Sequence, residues 1–177
     1  MNKLGAVFWD VDGTISDTEL NGHRLAFNRA FNQVDLPWVW DSKTYINLLE
    51  ISGGRKRVQY YADLVNFKLN QTLLDQIINQ KKSNYIHLLN SGSLKFRPGV
   101  KRLTEELSSL NISQFIVTTS SRSSVINLIN SLYINNPSPF DGIVSFEDVD
   151  NHKPSPDAYL KAITLTTHNI KNCIVID

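Results

Sequence analysis

The sequence has a single cysteine, Cys173, among 177 residues, so it cannot form an internal disulfide. Such cysteine usage is typical of a reducing compartment, and we expect a cytoplasmic protein. The chain has no apolar run long enough to span a bilayer, and its first apolar segment begins too close to Met1 for a signal peptide. Eighteen Lys and Arg residues against 17 Asp and Glu residues leave a net charge of +1, which does not indicate nucleic acid or a membrane as a partner.

The most informative stretch is an apolar run that ends at two acidic residues. Residues 6–9 have the length and composition of a buried strand, and Asp10 and Asp12 come directly after it. Alternate residues leave a strand on the same side, so both carboxylates are expected at the strand's carboxyl end, where open α/β sheets bind ligands. Two like charges held close together are costly without a cation. The pattern therefore predicts Mg²⁺, which is usually held by one or two carboxylates plus substrate phosphate.

The run Asp10-Val11-Asp12-Gly13-Thr14 resembles the first motif of the haloacid dehalogenase superfamily, in its phosphatase form. The resemblance implies that Asp10 attacks phosphorus to form an aspartyl-phosphate. It implies that Asp12 protonates the leaving oxygen and then activates water. It also implies that Asp10 and the main-chain carbonyl of Asp12 help to hold the metal. The plain alternative is a strand end followed by an Asp-Gly turn.

Residues 115–121 predict a second buried strand, which ends in four hydroxyl side chains. A hydroxyl and main-chain N–H groups at a strand-to-helix junction can bind phosphate oxygens, helped by the positive end of the following helix. The same resemblance assigns Thr118 to the phosphate-binding position of the second motif. We expect Thr119 and Ser120 to contribute to substrate binding beside it.

The segment His152-Lys153-Pro154-Ser155-Pro156-Asp157 matches the third motif of the superfamily. An ammonium group near Asp10 would keep that carboxylate ionised and offset the charge of an incoming phosphoryl group, and the resemblance assigns this role to Lys153. We expect Ser155 to cap the following helix and Pro156 to occupy its first position. The alternative is a surface lysine that happens to precede a helix.

Two further apolar strands are predicted at residues 142–146 and at residues 173–176, and the second of them ends at Asp177. The resemblance places a fourth, acidic motif here, so Asp177 is predicted to complete the metal site with Asp10 and Asp12. Members of the superfamily continue beyond this point, and we therefore expect a truncated chain, which we also expect to be a monomer. A sheet that lacks an edge strand exposes pairing groups and apolar surface, which would favour low solubility or association.

Between residues 16 and 95 only helical patterns recur, whereas strands alternate with helices on either side. This organisation predicts an α/β fold, with a Rossmann-like parallel sheet formed by residues 1–15 and 96–177 and an inserted α-helical cap at residues 16–95. The superfamily has caps of this kind, known as the C1 type. The four cap helices are predicted to start near Asp17, Tyr45, Arg57 and Thr72.

The cap contains its own substrate-binding candidates. The run Gly53-Gly54-Arg55-Lys56-Arg57 combines a flexible turn with three cations at a predicted helix amino terminus, which suits a substrate phosphate; the alternative is a solvated turn. His23 could bind substrate or be an ordinary surface residue. Trp38 and Trp40 flank a proline and are predicted to pack in the cap. The candidates for substrate binding in the cap are Glu19, His23, Gly53, Gly54, Arg55 and Arg57.

The runs Asp17-Thr18-Glu19 and His23 to Asn28, and the segment from Tyr45 to Arg57, resemble the CbbY-like branch of the superfamily. Members of that branch dephosphorylate xylulose-1,5-bisphosphate, and the neighbouring β-phosphoglucomutase branch shares the first motif. We therefore predict a magnesium-dependent phosphatase that acts on a small sugar phosphate. Two alternatives remain open: a phosphosugar mutase, and a catalytically impaired fragment that binds phosphosugars.

Overall fold

A computed structural model describes residues 3–51, 53–134 and 136–177. Within these residues the chain forms four β-strands and seven α-helices. It divides into two compact units, one containing Met1–Asp17 and Leu94–Asp177 and the other Thr18–Ser93. In the described part of the chain, no helix combines bilayer-spanning length with a sufficiently apolar composition.

The first unit contains a sheet in which every neighbouring pair of strands is parallel. Its strands are β1 (Ala6–Trp9), β2 (Ser113–Val117), β3 (Gly142–Val144) and β4 (Cys173–Ile176), in the order β3-β2-β1-β4. After β3 the chain returns to the far side of β1, so the direction of winding reverses between β1 and β4. Parallel α/β sheets bind ligands at the carboxyl edge beside such a reversal. The predicted parallel α/β fold is therefore confirmed.

The second unit is helical. Its helices are α1 (Arg24–Gln33), α2 (Ser42–Leu48), α3 (Gly54–Leu64) and α4 (Gln71–Asn90), and a π-helical turn at Glu19–His23 precedes α1. Asp41 and Asn70 cap α2 and α4, because their side chains accept hydrogen bonds from main-chain N–H groups in the first turn. These helices occupy the segments where the sequence pattern predicts helices, although α3 begins three residues before the predicted start.

An aromatic cluster forms the centre of the second unit. Trp40 is fully buried and Trp38 nearly so. Both indole rings meet Phe31 edge-on, with ring centroids 4.8 Å away for Trp40 and 5.4 Å for Trp38. This is a favourable geometry for aromatic pairs. The predicted packing role of both tryptophans is confirmed.

Three helices complete the first unit: α5 (Val100–Ser109), α6 (Arg122–Leu132) and α7 (Asp157–Leu165). All four residues of β1 are buried, as expected for an interior strand of a parallel sheet. On one face, Phe8 packs against Phe115 with ring centroids 5.9 Å apart. Other members of this apolar cluster are Ala6, Val117, Val144, Ala158 and Ala162.

The segment that follows β1 and the segment that leads back into the first unit lie side by side. Ser16 and Phe96 form an antiparallel bridge, and the Ser16 hydroxyl donates to the carbonyl oxygen of Lys95 at 2.7 Å. The N–H of Arg97 donates to the carbonyl oxygen of Ile15 at 2.9 Å. The segments that leave and re-enter the first unit are thus held together by hydrogen bonds within that unit.

Two predictions about local structure are wrong. Helix α7 begins at Asp157 rather than at Pro156, and Ser155 does not cap it. The Ser155 hydroxyl instead donates to the Asp157 carboxylate at 2.8 Å, so it is turned away from the main-chain N–H groups. The strand predicted at residues 142–146 stops at Val144, because a capping box at Ser145 starts a 3₁₀ turn.

Candidate active site

Two acidic residues lie side by side where β1 and β4 end. Trp9 and Ile176 are register partners, and Asp10 and Asp177 are the residues that follow them. The N–H of Asp10 continues the ladder by donating to the carbonyl oxygen of Ile176 at 2.9 Å. The strand register therefore brings together two carboxylates that are far apart in the sequence.

The Lys153 side chain lies between these two carboxylates. Its Nζ donates to Asp10 Oδ1 at 2.8 Å and to Asp177 Oδ2 at 3.0 Å. The side chains of Lys153 and Asp10 are 16% and 13% exposed, whereas that of Asp177 is 54% exposed. The structure thus brings the lysine of the third motif against the first aspartate, as the sequence predicts.

The environment shifts the pKa values of all three groups. Burial raises the pKa of Asp10, and the hydrogen bond and charge of Lys153 only partly oppose this effect. Burial by itself would lower the pKa of Lys153, but hydrogen bonds with Asp10 and Tyr159 and the negative charge of Asp10 raise it above its usual range. A hydrogen bond from Tyr159 lowers the pKa of Asp177. Lys153 is therefore a permanent cation beside the candidate nucleophile.

Tyr159 is a site residue that the sequence reasoning missed. It lies in the first turn of α7, and its hydroxyl donates to Asp177 Oδ2 at 2.6 Å. The centre of its ring is 4.9 Å from Lys153 Nζ, within the range of a cation–π contact. An aromatic residue at the start of a helix is usually a packing residue, so the residue type did not indicate a role in the site. Its position six residues after Lys153 was the one sequence feature that linked it to the third motif.

The hydroxyl groups after β2 lie near the second aspartate. The Ser120 hydroxyl donates to Asp12 Oδ2 at 2.5 Å, and the Ser120 N–H donates to Thr118 Oγ1 at 3.1 Å. Thr118 is almost fully buried, whereas Thr119 is exposed on the same loop. The structure therefore brings Asp12, Thr118 and Ser120 together and leaves Thr119 at the surface.

The turn after Asp12 depends on Gly13. Its φ of +87° is a conformation that residues with a side chain rarely adopt. Its N–H donates to the carbonyl oxygen of Ser16 at 2.9 Å, which closes a tight turn. The glycine of the first motif thus allows the chain to turn directly after the second aspartate.

The carboxylate oxygens at the carboxyl edge of the sheet are suitable ligands for a magnesium ion. Asp10 and Asp177 offer carboxylate oxygens, the type of ligand that Mg²⁺ prefers, and Mg²⁺ usually takes its other ligands from water and phosphate. Among the described residues there is no group of three His, Cys, Asp or Glu side chains spaced to hold a metal. The predicted ligand set, in which Asp12 contributes its main-chain carbonyl rather than its carboxylate, stays a prediction.

The candidates in the second unit have partners within that unit. The buried Arg57 donates from Nε to the carbonyl oxygen of Leu48 at 2.9 Å and from Nη1 to the Tyr45 hydroxyl at 3.1 Å. The Tyr45 hydroxyl in turn donates to Glu19 Oε2 at 2.6 Å. Arg57 is therefore part of the packed interior and not a solvated cation.

The other residues of the glycine-basic run lie at the start of α3, as predicted. Gly53 precedes the helix with a φ of +89°, and Gly54 is the first helical residue. Arg55 forms an ion pair with Asp75 of α4, and both side chains are about half exposed. A role of these residues in substrate binding stays a prediction.

His23 lies beside a lysine that the sequence reasoning did not identify. Lys81 Nζ is 3.0 Å from His23 Nδ1, and the His23 ring lies 4.1 Å from that of Tyr85. Burial, followed by the charges of Lys81 and Arg57, lowers the pKa of His23 well below 6.5. Lys81 is 58 residues away in the sequence and belongs to no motif, so only the packing of α4 could reveal it.

Comparison with known proteins gives a family for this chain. The family model described as haloacid dehalogenase-like hydrolase matches residues 7–177. The plasmid-borne protein CbbY of Cupriavidus necator is 31% identical over 181 residues, which cover 98% of this chain and 70% of that protein. Protein CbbY of Rhodobacter capsulatus is 30% identical over 162 residues, covering 91% of this chain and 71% of the relative.

Solved structures show the same relationship. A crystal structure of CbbY from Rhodobacter sphaeroides in complex with phosphate superposes with a TM-score of 0.78 at 28% identity, covering 97% of this chain and 76% of that chain. A mutant of the same protein in complex with xylulose-(1,5)bisphosphate matches equally well. A predicted phosphoglycolate phosphatase from Haemophilus somnus, 18% identical with a TM-score of 0.82, shares the fold. The match over residues 7–177, together with relatives of 30% and 31% identity, places this chain in the haloacid dehalogenase-like hydrolase family.

Proposed function

We propose that this chain is a phosphatase that removes a phosphoryl group from a small phosphorylated sugar through an aspartyl-phosphate on Asp10. The observation that carries the proposal is the 2.8 Å contact between Lys153 Nζ and Asp10 Oδ1 at the carboxyl end of β1. A protonated lysine against a buried carboxylate keeps the nucleophile ionised and balances the charge of an incoming phosphate.

In the first half of the reaction, a carboxylate oxygen of Asp10 attacks phosphorus and the bond between phosphorus and the sugar oxygen breaks. Asp12 gives its proton to the departing oxygen, so the sugar leaves as an alcohol. In the second half, Asp12 takes a proton from water while the water oxygen attacks phosphorus. The bond between phosphorus and Asp10 breaks, and orthophosphate leaves with the enzyme restored.

Thr118 and Lys153 hold the phosphoryl oxygens in this mechanism. The Thr118 hydroxyl oxygen accepts a hydrogen bond from the Ser120 N–H, so its own proton can be donated to a phosphate oxygen. Asp10, Asp177 and the carbonyl oxygen of Asp12 would hold Mg²⁺, which offsets the negative charge of the phosphoryl group. Positioning and charge balance are the main requirements of phosphoryl transfer.

We propose xylulose-1,5-bisphosphate as the first substrate to test. The CbbY protein of Rhodobacter sphaeroides, 28% identical to this chain, has been crystallised with that compound. The proposed division of labour is a catalytic core of residues 1–15 and 96–177 and a cap of residues 16–95 that contributes to sugar recognition. The cap residues proposed for this recognition are those predicted from the sequence: Glu19, His23, Gly53, Gly54, Arg55 and Arg57.

The test is phosphate release by the wild-type chain and by Asp10→Asn, measured with Mg²⁺ over a panel of sugar mono- and bisphosphates. We expect the substitution to lower the rate by more than about 10³-fold, because loss of a catalytic nucleophile removes the covalent route. Asp63→Asn, on the exposed side of α3, is the matched control and should retain activity. Equal rates for Asp10→Asn and the wild type would contradict the mechanism.

The same incubation distinguishes the two alternatives. A phosphosugar mutase uses the same two aspartates but returns the phosphoryl group to another hydroxyl of the sugar, so an isomeric sugar phosphate would accumulate with little free phosphate. A binding protein without turnover would retain the sugar phosphate and release nothing. Accumulation of orthophosphate in proportion to substrate consumed is the result expected from the proposal.

A further inference from the structure

Two loops at the carboxyl edge of the sheet carry the candidate site residues of the second and third motifs. We call residues 118–121 the hydroxyl loop, which contains Thr118 and Ser120. We call residues 145–153 the lysine loop, which ends at Lys153. Both loops must keep their positions for the phosphate-binding groups to converge.

Two main-chain hydrogen bonds hold the hydroxyl loop, one to the end of β3 and one to the start of the lysine loop. The N–H of Thr118 donates to the carbonyl oxygen of Val144 at 3.0 Å, and the N–H of Phe146 donates to the carbonyl oxygen of Ser120, also at 3.0 Å. Lys153 lies seven residues beyond Phe146. The position of the lysine therefore depends on how the rest of its loop is held.

The Asp148 carboxylate accepts hydrogen bonds from its own loop and from the residue that follows the hydroxyl loop. Its Oδ2 accepts hydrogen bonds from the Ser145 N–H at 2.7 Å and the Ser145 hydroxyl at 2.6 Å, and it also accepts from Arg122 Nη2. The main-chain carbonyl of Asp148 accepts from Lys161 of α7 at 2.7 Å. Burial would raise the pKa of Asp148, but the hydrogen bonds from Ser145 and the charge of Arg122 lower it overall, so the group is ionised at neutral pH.

Arg122 provides the link from the other loop. It is the first residue of α6 and directly follows the hydroxyl loop. Its Nη2 also donates to the carbonyl oxygen of Ile143 at 3.0 Å, and its main-chain N–H donates to Glu147 Oε2 at 2.9 Å. Both the backbone and the guanidinium of one residue are thus fixed to the segment that leads to Lys153.

We propose that Arg122 and Asp148 are positioning residues that hold the lysine loop against the hydroxyl loop. The pair lies outside the reacting groups and acts through the placement of Lys153 and Ser120. This inference rests on the proposed function, because it assigns the pair a purpose in the same reaction. The contacts themselves exist independently of any activity.

Stability and positioning make different predictions for this pair. The side chains of Arg122 and Asp148 are 43% and 22% exposed, and ion pairs this open to solvent contribute little to stability. A small displacement of a catalytic group, however, can lower a rate by about 100-fold. Loss of the pair should therefore reduce turnover far more than it reduces the melting temperature.

The experiment compares Arg122→Met, Asp148→Asn and Arg122→Lys with the wild-type chain. The matched control is Arg102→Met, which breaks an exposed arginine–glutamate pair with a 3.2 Å contact on α5. Three quantities are measured: hydrogen–deuterium exchange of the two loops, kcat and KM for phosphate release, and the melting temperature. Exchange reports the loop contacts whether or not the chain is active.

We expect exchange in the lysine loop to become at least about 10-fold faster in Arg122→Met and Asp148→Asn, with kcat lowered roughly 10- to 100-fold. Their melting temperatures should stay close to that of Arg102→Met, and Arg122→Lys should recover part of kcat. Unchanged exchange in the lysine loop would overturn the proposal, as would a loss of kcat explained by an equal loss of folded protein. If the wild type releases no phosphate, the proposed function fails, and the exchange data still decide the role of the pair.

Discussion

Gln114 in β2 is a buried residue whose amide joins three elements of the first unit. It accepts from Trp9 Nε1 at 3.1 Å and donates to the carbonyl oxygen of Thr104 at 2.9 Å and to Ser108 Oγ at 3.0 Å. Gln114 has no solvent exposure, so water cannot replace these contacts. A buried polar group that is left without a partner costs about 1–3 kcal/mol.

We therefore expect Gln114→Leu to lower the free energy of unfolding by about 2–4 kcal/mol, because the Trp9 N–H loses its partner and the Thr104 carbonyl and the Ser108 hydroxyl each lose one hydrogen bond. Urea unfolding followed by circular dichroism measures the change. Gln71→Leu, at an exposed position in α4, is the control and should change stability by less than about 0.5 kcal/mol. Similar losses for both variants would show that the buried amide is not important.

The lowered pKa of His23 predicts that the second unit loses stability in acid. Its folded-state pKa is lowered well below 6.5, by burial and then by the charges of Lys81 and Arg57. As the pH falls below 6.5, the unfolded chain binds a proton that the folded chain does not. The free energy of unfolding must therefore decrease toward acid, by at most about 1.4 kcal/mol per pH unit for this one group.

His23→Gln removes the titrating group, so its stability should vary less with pH over this range. Chemical unfolding between about pH 7 and pH 5, followed by tryptophan fluorescence, tests the expectation, since Trp38 and Trp40 report on the second unit. Parallel curves for wild type and variant would exclude His23 as the source of acid sensitivity.

Individual residues differ in how far the sequence could predict them. Asp10 and Lys153 could be predicted because a strand end marks the first and a short sequence motif marks the second. Lys81 and Tyr159 were not, because each reaches its partners through helix packing between distant segments. The register of β1 and β4 then explains why Asp177 joins them, a relation that no local pattern contains.

Among the elements, β4 has an unusual environment for an apolar strand. In the described residues it pairs only with β1, which leaves its other edge open. Ile174 and Val175 are 46% and 47% exposed although they point to opposite faces. An apolar edge strand with no charge or proline is prone to pairing with another chain.

We expect the 20.1 kDa chain to associate as its concentration rises, and Ile174→Lys to reduce that association. A lysine on an edge strand disfavours pairing because a second strand would have to bury its charge. Light scattering against concentration provides the measurement. Leu64→Lys, at an exposed position of α3, is the control. A wild-type chain that stays monomeric throughout, or an equal effect of both lysines, would contradict the expectation.

Helix boundaries were harder to predict than the helices themselves. The apolar periodicity indicated the four helices of the second unit, since it reflects which face is buried. The predicted cap of α7 was wrong because the Ser155 hydroxyl donates to the Asp157 carboxylate instead of accepting from a main-chain N–H. The predicted end of β3 was wrong because Ser145 and Asp148 form reciprocal hydrogen bonds that start a 3₁₀ turn. In both cases a side chain competes with the main-chain pattern that the sequence suggests.

At the scale of the whole molecule, the order β3-β2-β1-β4 explains why the site forms where it does. The strand carrying Asp10 has a neighbour on each side, so loops from both directions reach it at the carboxyl edge. The sequence could predict a parallel α/β sheet from strand–helix alternation and from the family motifs. It could not give the strand register, which depends on contacts across more than a hundred residues.

The hydrogen-bonded junction near Ser16 and Phe96 makes the intervening segment equivalent to one long hairpin loop. Because its two ends are already fixed side by side, the closure entropy of a longer or shorter segment changes only logarithmically with its length. We therefore expect the fold to tolerate a segment of different length at this point while Asp10, Asp12 and Lys153 keep their places. The length of the helical unit can then vary without moving the carboxyl ends of β1 and β4.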